Sequence, residues 1–254
     1  MVKLIPPPKY RKTMLATFKR LEDAGNTVTG IIEAYVIPAT LEIMDKMTIQ
    51  TVENYAKVGL PTDAEAVLLI EVDGGAQQLV DSEAEAVLKV IKENNGEVKI
   101  AQSDAERDQL WAARRAALPA LAQLRPTTVL EDATVPRNRI TEMLVAVQKI
   151  AEKYNLMIGT FGHAGDGNLH PTIVADARAK EEMERVHQAV DEIFAVALKL
   201  GGTLSGEHGI GMAKMKYLKD ELGESGLNLM RKVKEALDPD YMLNPAKMVP
   251  VRGE

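Results

Sequence analysis

The chain has 254 residues, of which 46% are hydrophobic and 27% charged, and its formal net charge at pH 7 is −6. This length and hydrophobic content suit one large or two small globular domains, and the acidic balance argues against a nucleic-acid partner. The sequence contains no cysteine, which excludes a disulfide framework and a thiolate nucleophile. It also has no apolar run of membrane-spanning length and no secretory signal, so a cytoplasmic location is expected.

The first hundred residues alternate between short apolar runs and amphipathic segments. Strands are predicted at residues 13–18, 39–44, 66–72 and 97–101, and helices at 28–36, 45–58 and 77–94. This order of two β-α-β units joined by a connection is a split βαβ pattern. We therefore expect an α+β fold with a ferredoxin-like core. The core would extend into a larger, mainly antiparallel sheet with helices on one face, and a helical C-terminal segment would follow.

The second part of the chain is predicted to be richer in helix. Ser103 and Glu106 form a capping-box pattern at the start of a helix that carries the adjacent Arg114 and Arg115. These arginines favour an anion-binding role and a solvated basic edge about equally. A strand is then predicted at 127–135, helices at 138–154, 177–200, 212–222 and 227–237, and a proline-punctuated extended tail at 237–247.

Two of the four histidines lie in one glycine-rich stretch, residues 162–171 (GHAGDGNLHP). The glycines disfavour a helix, and Asp166-Gly167 between two apolar runs is a strong signal for a two-residue hairpin turn. With that turn, His163 would directly face His170, and directly opposed residues on one sheet face have β-carbons about 4.5–5.5 Å apart. We therefore expect both imidazoles to reach one metal ion.

A second glycine-rich segment, residues 201–211 (GGTLSGEHGIG), offers a third ligand. Glu207 would complete a site of two histidines and one carboxylate, which suits a divalent ion such as zinc, iron or manganese. Neighbouring residues of a regular strand do not point at the same ion, so His208 would be free to act as a general base. Asp166 and Asn168 are expected to form the turn or to orient the imidazoles.

The same residues also allow a plainer interpretation, in which the histidines are surface or capping residues and the glycine-rich loops are only turns. Three of the four histidines fall in these two loops, however, and this concentration favours a metal or acid–base site. An arginine such as Arg114 can pair with a substrate carboxylate through two hydrogen bonds. The residues suggest a small anionic substrate with a hydroxyl group, and leave open whether a C–H bond breaks or water attacks. Dinucleotide, P-loop and nucleophile-elbow motifs are absent.

Three motifs in this order resemble the C-terminal domain of FAD-linked oxidases of the vanillyl-alcohol oxidase type. They are GHAGDGNLHP at 162–171, SGEHGIG at 205–211 and LDPDYMLNPAKM at 237–248. The likeness is greatest to the flavin subunit of glycolate oxidase, to D-lactate dehydrogenase and to D-2-hydroxyglutarate dehydrogenase. It implies oxidation of a small D-2-hydroxy acid to the 2-oxo acid, with hydride passing from C2 to FAD. It also implies an iron–sulfur electron-accepting subunit, and with it a position peripheral to the inner membrane.

The resemblance further implies roles for individual residues. His163, His170 and Glu207 match the metal ligands of the family, and His208 matches its proton acceptor. Arg114 matches the arginine that binds the substrate carboxylate. Asn244 lies in a segment that approaches the flavin in the family. The hydroxyglutarate enzymes carry a lysine on the strand after the arginine helix. This chain has Val129-Leu130-Glu131-Asp132 there, which favours a short substrate such as glycolate or lactate.

The sequence shows no counterpart of the family's N-terminal FAD-binding domain. We expect residues 1–12, which include Pro6-Pro7-Pro8, to be a linker from that domain. Residues 13–210 would form a substrate-binding α+β domain, and residues 211–254 a helical segment with the flavin-approaching tail. FAD would then be bound mainly by the missing domain or subunit, and the isolated chain would be inactive in redox chemistry. Two alternatives are a metal-dependent hydrolase, in which His208 activates water, and a non-catalytic subunit or assembly module.

Overall fold

The structure is a computed structural model that describes residue 4 and residues 6–248, so part of the predicted linker lies outside the described residues. The described strands are β1 (Tyr10–Phe18), β2 (Thr40–Asp45), β3 (Ala66–Gly74), β4 (Glu97–Ile100), β5 (Thr127–Leu130), β6 (Ala133–Thr134), β7 (Met157–His163) and β8 (Asn168–Ala175). They form one sheet in the order β4-β1-β3-β2-β7-β8-β5, with β6 paired to β8. Each pairing in this sheet is antiparallel.

In the part of the chain that the structure describes, eight α-helices connect or cover these strands. They are α1 (Leu21–Glu33), α2 (Lys46–Ala56), α3 (Gln77–Glu93), α4 (Asp104–Arg115), α5 (Ala117–Ala122), α6 (Ile140–Tyr154), α7 (Lys180–Lys199) and α8 (Leu218–Leu237). The order β4-β1-β3-β2, with α1 and α3 as crossover helices, is the predicted ferredoxin-like arrangement. The predicted α+β fold with a larger antiparallel sheet is therefore confirmed. Within the described residues, no helix is both long and apolar enough to cross a bilayer.

The central strands separate two hydrophobic cores. On β3, Leu68 and Ile70 belong to one cluster of buried side chains, and Val67 and Leu69 belong to the other. A strand that is buried on both faces requires a nearly continuous apolar run, which residues 66–70 supply. The face that carries the larger core is covered by α1, α3, α6 and α7. A smaller layer of α2, α4 and α5 packs against the opposite face, around the smaller core. Helices therefore cover both faces of the sheet, and the prediction of helices on one face is corrected.

Several predicted elements have different bounds in the structure. Helix α1 begins at Leu21, not at residue 28, and contains Gly25 as an interior residue that allows α6 to approach closely. A β-carbon at Gly25 would lie 1.7 Å from Thr141 Oγ1. The strand predicted at 127–135 is divided into β5 and β6, because Glu131-Asp132 interrupts it. The range of α8 contains two helices, as predicted, which are separated at Gly223, where φ is +64° and ψ is 177°, and the first of them begins at Leu218 and not at residue 212.

Strands β7 and β8 form the predicted hairpin, but the predicted register is wrong. His163 pairs with Asn168, and Phe161 pairs with His170, so the loop has four residues (164–167) instead of two. The difference in register amounts to two residues. Since side chains alternate with a period of two, both histidines still point to the same face of the sheet.

Candidate functional site

The three residues predicted to bind a metal lie together beside the hairpin. His163 and His170 are diagonal neighbours whose ring centroids are 5.4 Å apart, and Glu207 reaches them from the loop that follows α7. Glu207 Oε1 lies 3.1 Å from His170 Nε2 and 3.4 Å from His163 Nε2. Two ligands bound 2.0–2.1 Å from a tetrahedral ion are about 3.3 Å apart. The three donor atoms therefore fit a single divalent cation.

The face on which this cluster lies follows from the alternation of side chains. Phe161 on β7 and Val174 on β8 belong to the smaller core. His163 lies two residues from Phe161, and His170 lies four residues from Val174, so both share that face. The candidate site is therefore at the edge of the layer formed by α4 and α5.

His170 is suited to metal binding by its surroundings. Its residue surface is only 4% exposed, and its Nδ1 has no hydrogen-bond partner within the described part of the chain. Burial, together with the nearby imidazoles of His163 and His208, lowers the pKa of His170. The ring is therefore neutral at physiological pH, which is the form that ligates a metal.

Glu42 fixes the orientation of His163. The antiparallel pairing of β2 with β7 places the two residues opposite each other, and Glu42 Oε1 lies 2.7 Å from His163 Nδ1. A carboxylate only accepts hydrogen bonds, so Nδ1 carries the proton and Nε2 presents its lone pair to Glu207 and His170. The hydrogen bond raises the pKa of His163. This carboxylate–histidine arrangement is the usual outer support of a histidine metal ligand.

Arg114 contacts the same carboxylate from α4. Its Nε and Nη2 each lie 2.9 Å from Glu42 Oε2, and both side chains are nearly buried. The guanidinium also lies 4.8 Å from the centroid of the Phe161 ring. Burial alone would raise the pKa of Glu42, but the hydrogen bond from His163 and the charge of Arg114 lower it below its usual range. The structure thus brings Arg114 to the candidate site, in an ion pair that the sequence did not predict.

Glu207 and His208 lie in an irregular segment, residues 204–214, that Asp132 holds in place. The fully buried Asp132 carboxylate accepts hydrogen bonds from the backbone N–H groups of three consecutive residues, 206–208, and from the Ser205 hydroxyl. Burial would raise the pKa of Asp132, but these donors and the Lys214 ammonium lower it far below its usual range.

Asp132, His170 and His208 form a second group whose donor atoms lie within 4.8 Å of one another. The Asp132 oxygens, however, already accept the hydrogen bonds of the irregular segment, and the Lys214 ammonium lies 3.4 Å from Oδ2. A cation bound here would be repelled by this buried positive charge. The group therefore does not fit a second metal.

His208 lies beside the three candidate ligands but is not one of them. Its ring stacks on that of His170, with centroids 5.1 Å apart and an interplanar angle of 10°. His208 is exposed, and an exposed imidazole next to a metal cluster can accept a proton from a bound molecule. Its role as base stays a prediction.

Asn168 and Asp166 have different positions in the hairpin. The Asn168 amide is buried, and its Nδ2 lies 3.5 Å from Glu207 Oε1, whereas Asp166 is exposed in the loop. Asn168 thus contacts a candidate ligand, and Asp166 forms the turn.

Asn244 lies in the C-terminal tail. It lines an apolar cavity of about 770 Å³ together with α8 residues such as Leu229 and Val233 and the glycine-rich residues 209–211. Asn244 is exposed, with φ at +47°, and its described hydrogen bonds join it to Lys247. The cavity connects the tail to the segment that carries Glu207 and His208.

Sequence reasoning missed three residues that support the site, namely Glu42, Asp132 and Lys214. The available signal was a charged side chain within a run that otherwise predicts a buried strand. A buried charge needs a partner, so Glu42 in the second predicted strand and Asp132 in the fifth could have been marked as partners of other polar groups.

Comparison with known proteins identifies the family. The chain matches the family described as FAD linked oxidases, C-terminal domain, over residues 7–248. It belongs to this family. The FAD-linked oxidase C-terminal domain described here is 51% identical over 249 residues to the glycolate oxidase subunit GlcD of Bacillus subtilis, covering 98% of this chain and 53% of that protein. The subunit GlcD of Escherichia coli K12 is 37% identical, with 98% and 50% covered.

A further relative of this FAD-linked oxidase domain is the D-lactate dehydrogenase of Anaerostipes hadrus. It is 34% identical, and the alignment covers 97% of this chain and 54% of that protein. The chain thus spans about half the length of these relatives. The resemblance to flavin-dependent oxidases predicted from the three motifs is confirmed.

Solved structures confirm the fold of the domain. p-Cresol methylhydroxylase with substrate bound superposes with a TM-score of 0.71 at 15% identity, covering 98% of this chain and 55% of that one. The 4-ethylphenol oxidase of Gulosibacter chungangensis gives a TM-score of 0.70 at 12% identity, with 97% and 55% covered.

Proposed function

We propose that this domain is the substrate-binding, metal-bearing half of a flavin-dependent dehydrogenase that oxidises a short D-2-hydroxy acid, glycolate or D-lactate, to the 2-oxo acid. The observation that carries the proposal is the convergence of His163, His170 and Glu207 on one point, with His208 stacked beside them. Relatives named as glycolate oxidase subunits and as a D-lactate dehydrogenase support this choice of substrate.

In this proposal the three ligands hold zinc, iron or manganese. A divalent ion in such a site supplies Lewis acidity, which lowers the pKa of a hydroxyl group, and FAD, when bound, supplies the hydride acceptor. His208 takes the proton of the substrate hydroxyl. Its exposed ring lies against His170, so it can reach a substrate oxygen at the cluster without leaving the site.

Arg114 is proposed to bind the substrate carboxylate. Its described bonds to Glu42 use Nε and Nη2, and Nη1 remains for a second carboxylate. The ion pair with Glu42 also holds the guanidinium rigidly, which lowers the entropy cost of substrate binding.

The surroundings of Asp132 support a short substrate. Lys214 is the buried lysine of this region, and its Nζ lies 2.8 Å from Leu204 O and 3.2 Å from Asp132 O. It is therefore committed to the chain itself and is a poor anchor for a distal second carboxylate. Glycolate and lactate carry no such group.

The proposed domain division places a linker before residue 10, a substrate-binding domain up to residue 210, and residues 211–254 in a segment that approaches the flavin through Asn244. The support for the last part is that only Leu218 of α8 is buried. The predicted end of the linker at residue 12 is corrected because residues 10–12 pair with β3 as part of β1. We further propose that FAD is held mainly by a separate domain or subunit. Electrons would then pass to an iron–sulfur subunit that holds the assembly at the inner membrane. The word subunit in the names of the glycolate oxidase relatives supports an assembly of this kind.

The first test is the metal content of the purified chain by mass spectrometry. We expect about one equivalent of zinc, iron or manganese, lost in the double variant His163→Ala/His170→Ala. His187→Ala is the matched control, since His187 is exposed on α7 and its removal leaves the cluster intact. A wild-type chain that binds no metal under saturating conditions would contradict the metal-bearing part of the proposal.

The base is tested separately in an enzyme reconstituted with a flavin-binding domain. His208→Ala should lower turnover far more than it lowers metal content, and an equal loss of both would remove the assignment. Membership of an oxidase family favours this chemistry over the hydrolase alternative. The hydrolase alternative predicts that the isolated chain hydrolyses an ester and that EDTA abolishes this activity.

A further inference from the structure

The segment that carries Glu207 and His208 has neither helix nor strand to fix it. The side chain of Glu207 is 49% exposed, and the neighbouring glycines add backbone freedom. A ligand and a base must nevertheless be held to within about 0.5 Å to act on one substrate. Something outside the segment must therefore determine its conformation.

Asp132 connects this segment to the hairpin strand. It lies between β5 and β6, which both pair with β8, the strand that carries His170. Its carboxylate lies 3.1 Å from the backbone nitrogens of Gly206 and Glu207 and 2.9 Å from that of His208. Three consecutive N–H groups that converge on one carboxylate define the path of the backbone.

Lys214 balances the charge of Asp132 and closes the segment. Its Nζ contacts Asp132 and also the carbonyl of Leu204, so the first and last residues of the segment 204–214 are joined. Lys214 is only 5% exposed. A buried carboxylate without this ammonium would be costly, because a buried charge is tolerated only when it is paired.

We propose that Asp132 and Lys214 are positioning residues that form a clamp, which holds Glu207 at the metal and His208 beside it. The role of the clamp in placing a ligand and a base rests on the proposed function. Its effect on the backbone conformation of residues 206–208 can be tested without metal or flavin.

The experiment compares the wild-type chain with Asp132→Asn by hydrogen exchange and by cobalt(II) titration. Asparagine has the same shape but cannot accept all of these bonds. We expect the amides of residues 206–208 to lose protection by about 10- to 100-fold. The cobalt affinity should fall by about 10- to 100-fold with an altered visible spectrum.

Asp45→Asn is the matched control. Asp45 is also a buried carboxylate that accepts backbone N–H groups, those of Thr48 and Thr160, but it lies outside the clamp. This variant should leave both the 206–208 amides and the cobalt spectrum unchanged. Equal loss of protection in both variants would show a global effect and overturn the proposal.

Unchanged protection at residues 206–208 in Asp132→Asn would also overturn the clamp. If that variant does not fold, Lys214→Met decides, because it removes the ammonium that joins Asp132 to the carbonyl of Leu204. Unchanged exchange at residues 206–208 in Lys214→Met would equally overturn the clamp. A wild-type chain that binds no cobalt would contradict the proposed metal site, while the exchange data would still decide the clamp.

Discussion

The ferredoxin-like core and the candidate site are held together by different forces. In the core, β1 and β3 and the helices α1 and α3 meet through aliphatic and aromatic side chains that are almost completely buried. At the site, buried ion pairs hold the functional side chains: Glu42 on β2 with Arg114 on α4, and Asp132 with Lys214 of the segment 204–214. Apolar packing therefore determines where the elements lie, and hydrogen-bonded charges determine where the functional side chains point.

The largest effect is expected at Phe18, where a variant would separate apolar packing from the hydrogen-bonded charges of the site. Phe18 is fully buried on β1, away from the site. Phe18→Ala should lower the free energy of unfolding by about 3–5 kcal/mol, because it removes a large apolar side chain and leaves a cavity. The metal affinity of the folded protein should not change. Urea unfolding and metal titration measure the two quantities, and a loss of affinity along with stability would show that the regions are coupled.

A smaller effect on binding is expected at Glu42. Glu42→Gln should reduce metal affinity by about 10- to 100-fold, since it weakens the hydrogen bond that orients His163. It should also destabilise the fold, because Arg114 is left buried without its partner.

The double variant Glu42→Gln/Arg114→Met separates these two consequences. It removes the unpaired charge and should recover stability without recovering metal affinity. Recovery of both would mean that Glu42 acts only through packing and charge balance, and not through the orientation of His163.

The smallest effect is expected at Glu131, a carboxylate next to Asp132 that does not belong to the clamp. Burial raises the pKa of Glu131 from 4.5 to about 6. Well below pH 4.5 the carboxyl is protonated in both the folded and the unfolded chain. Between about pH 4.5 and 6 the unfolded chain releases this proton while the buried carboxyl of the folded chain keeps it, so stability falls, by up to ~2 kcal/mol, and the loss levels off above pH 6.

Glu131→Gln should remove this loss, so the variant should gain stability relative to wild type at pH 7.5 but not at pH 4.5. Urea unfolding at the two pH values tests this. A variant that is less stable at both values would show that Glu131, like Asp132, makes bonds that the fold needs.

The comparison also explains what could be predicted from sequence. The core was predictable because its strands and helices repeat apolar residues with the period of each element. The clustering of His163, His170 and Glu207 was predictable because these residues lie in two glycine-rich loops of unusual composition, and their role as metal ligands stays a prediction. The hydrogen bond from His163 to Glu42 was not predictable, because it requires the pairing of β2 with β7 across 121 positions of sequence. No local pattern specifies such a pairing.

The turn was predicted incorrectly for a local reason. Asp166-Gly167 suits a two-residue turn as well as the end of a four-residue loop, in which Gly167 takes a φ of +78°. Only the packing of the hairpin against its neighbours decides between them, and both alternatives leave the histidines on one face.

The alternation of side chains along β7 and β8 also determines how the hairpin can vary. A shift of the pairing by two residues would leave both imidazoles on the face that carries the smaller core. If the loop keeps four residues, one added residue shifts the pairing of β8 by one position and turns His170 toward the larger core, where Leu169 and Ile173 now pack. A loop of five residues, or a bulge, would absorb the added residue and leave His170 in place, so the site is preserved only where the register of the two strands is preserved or shifts by an even number.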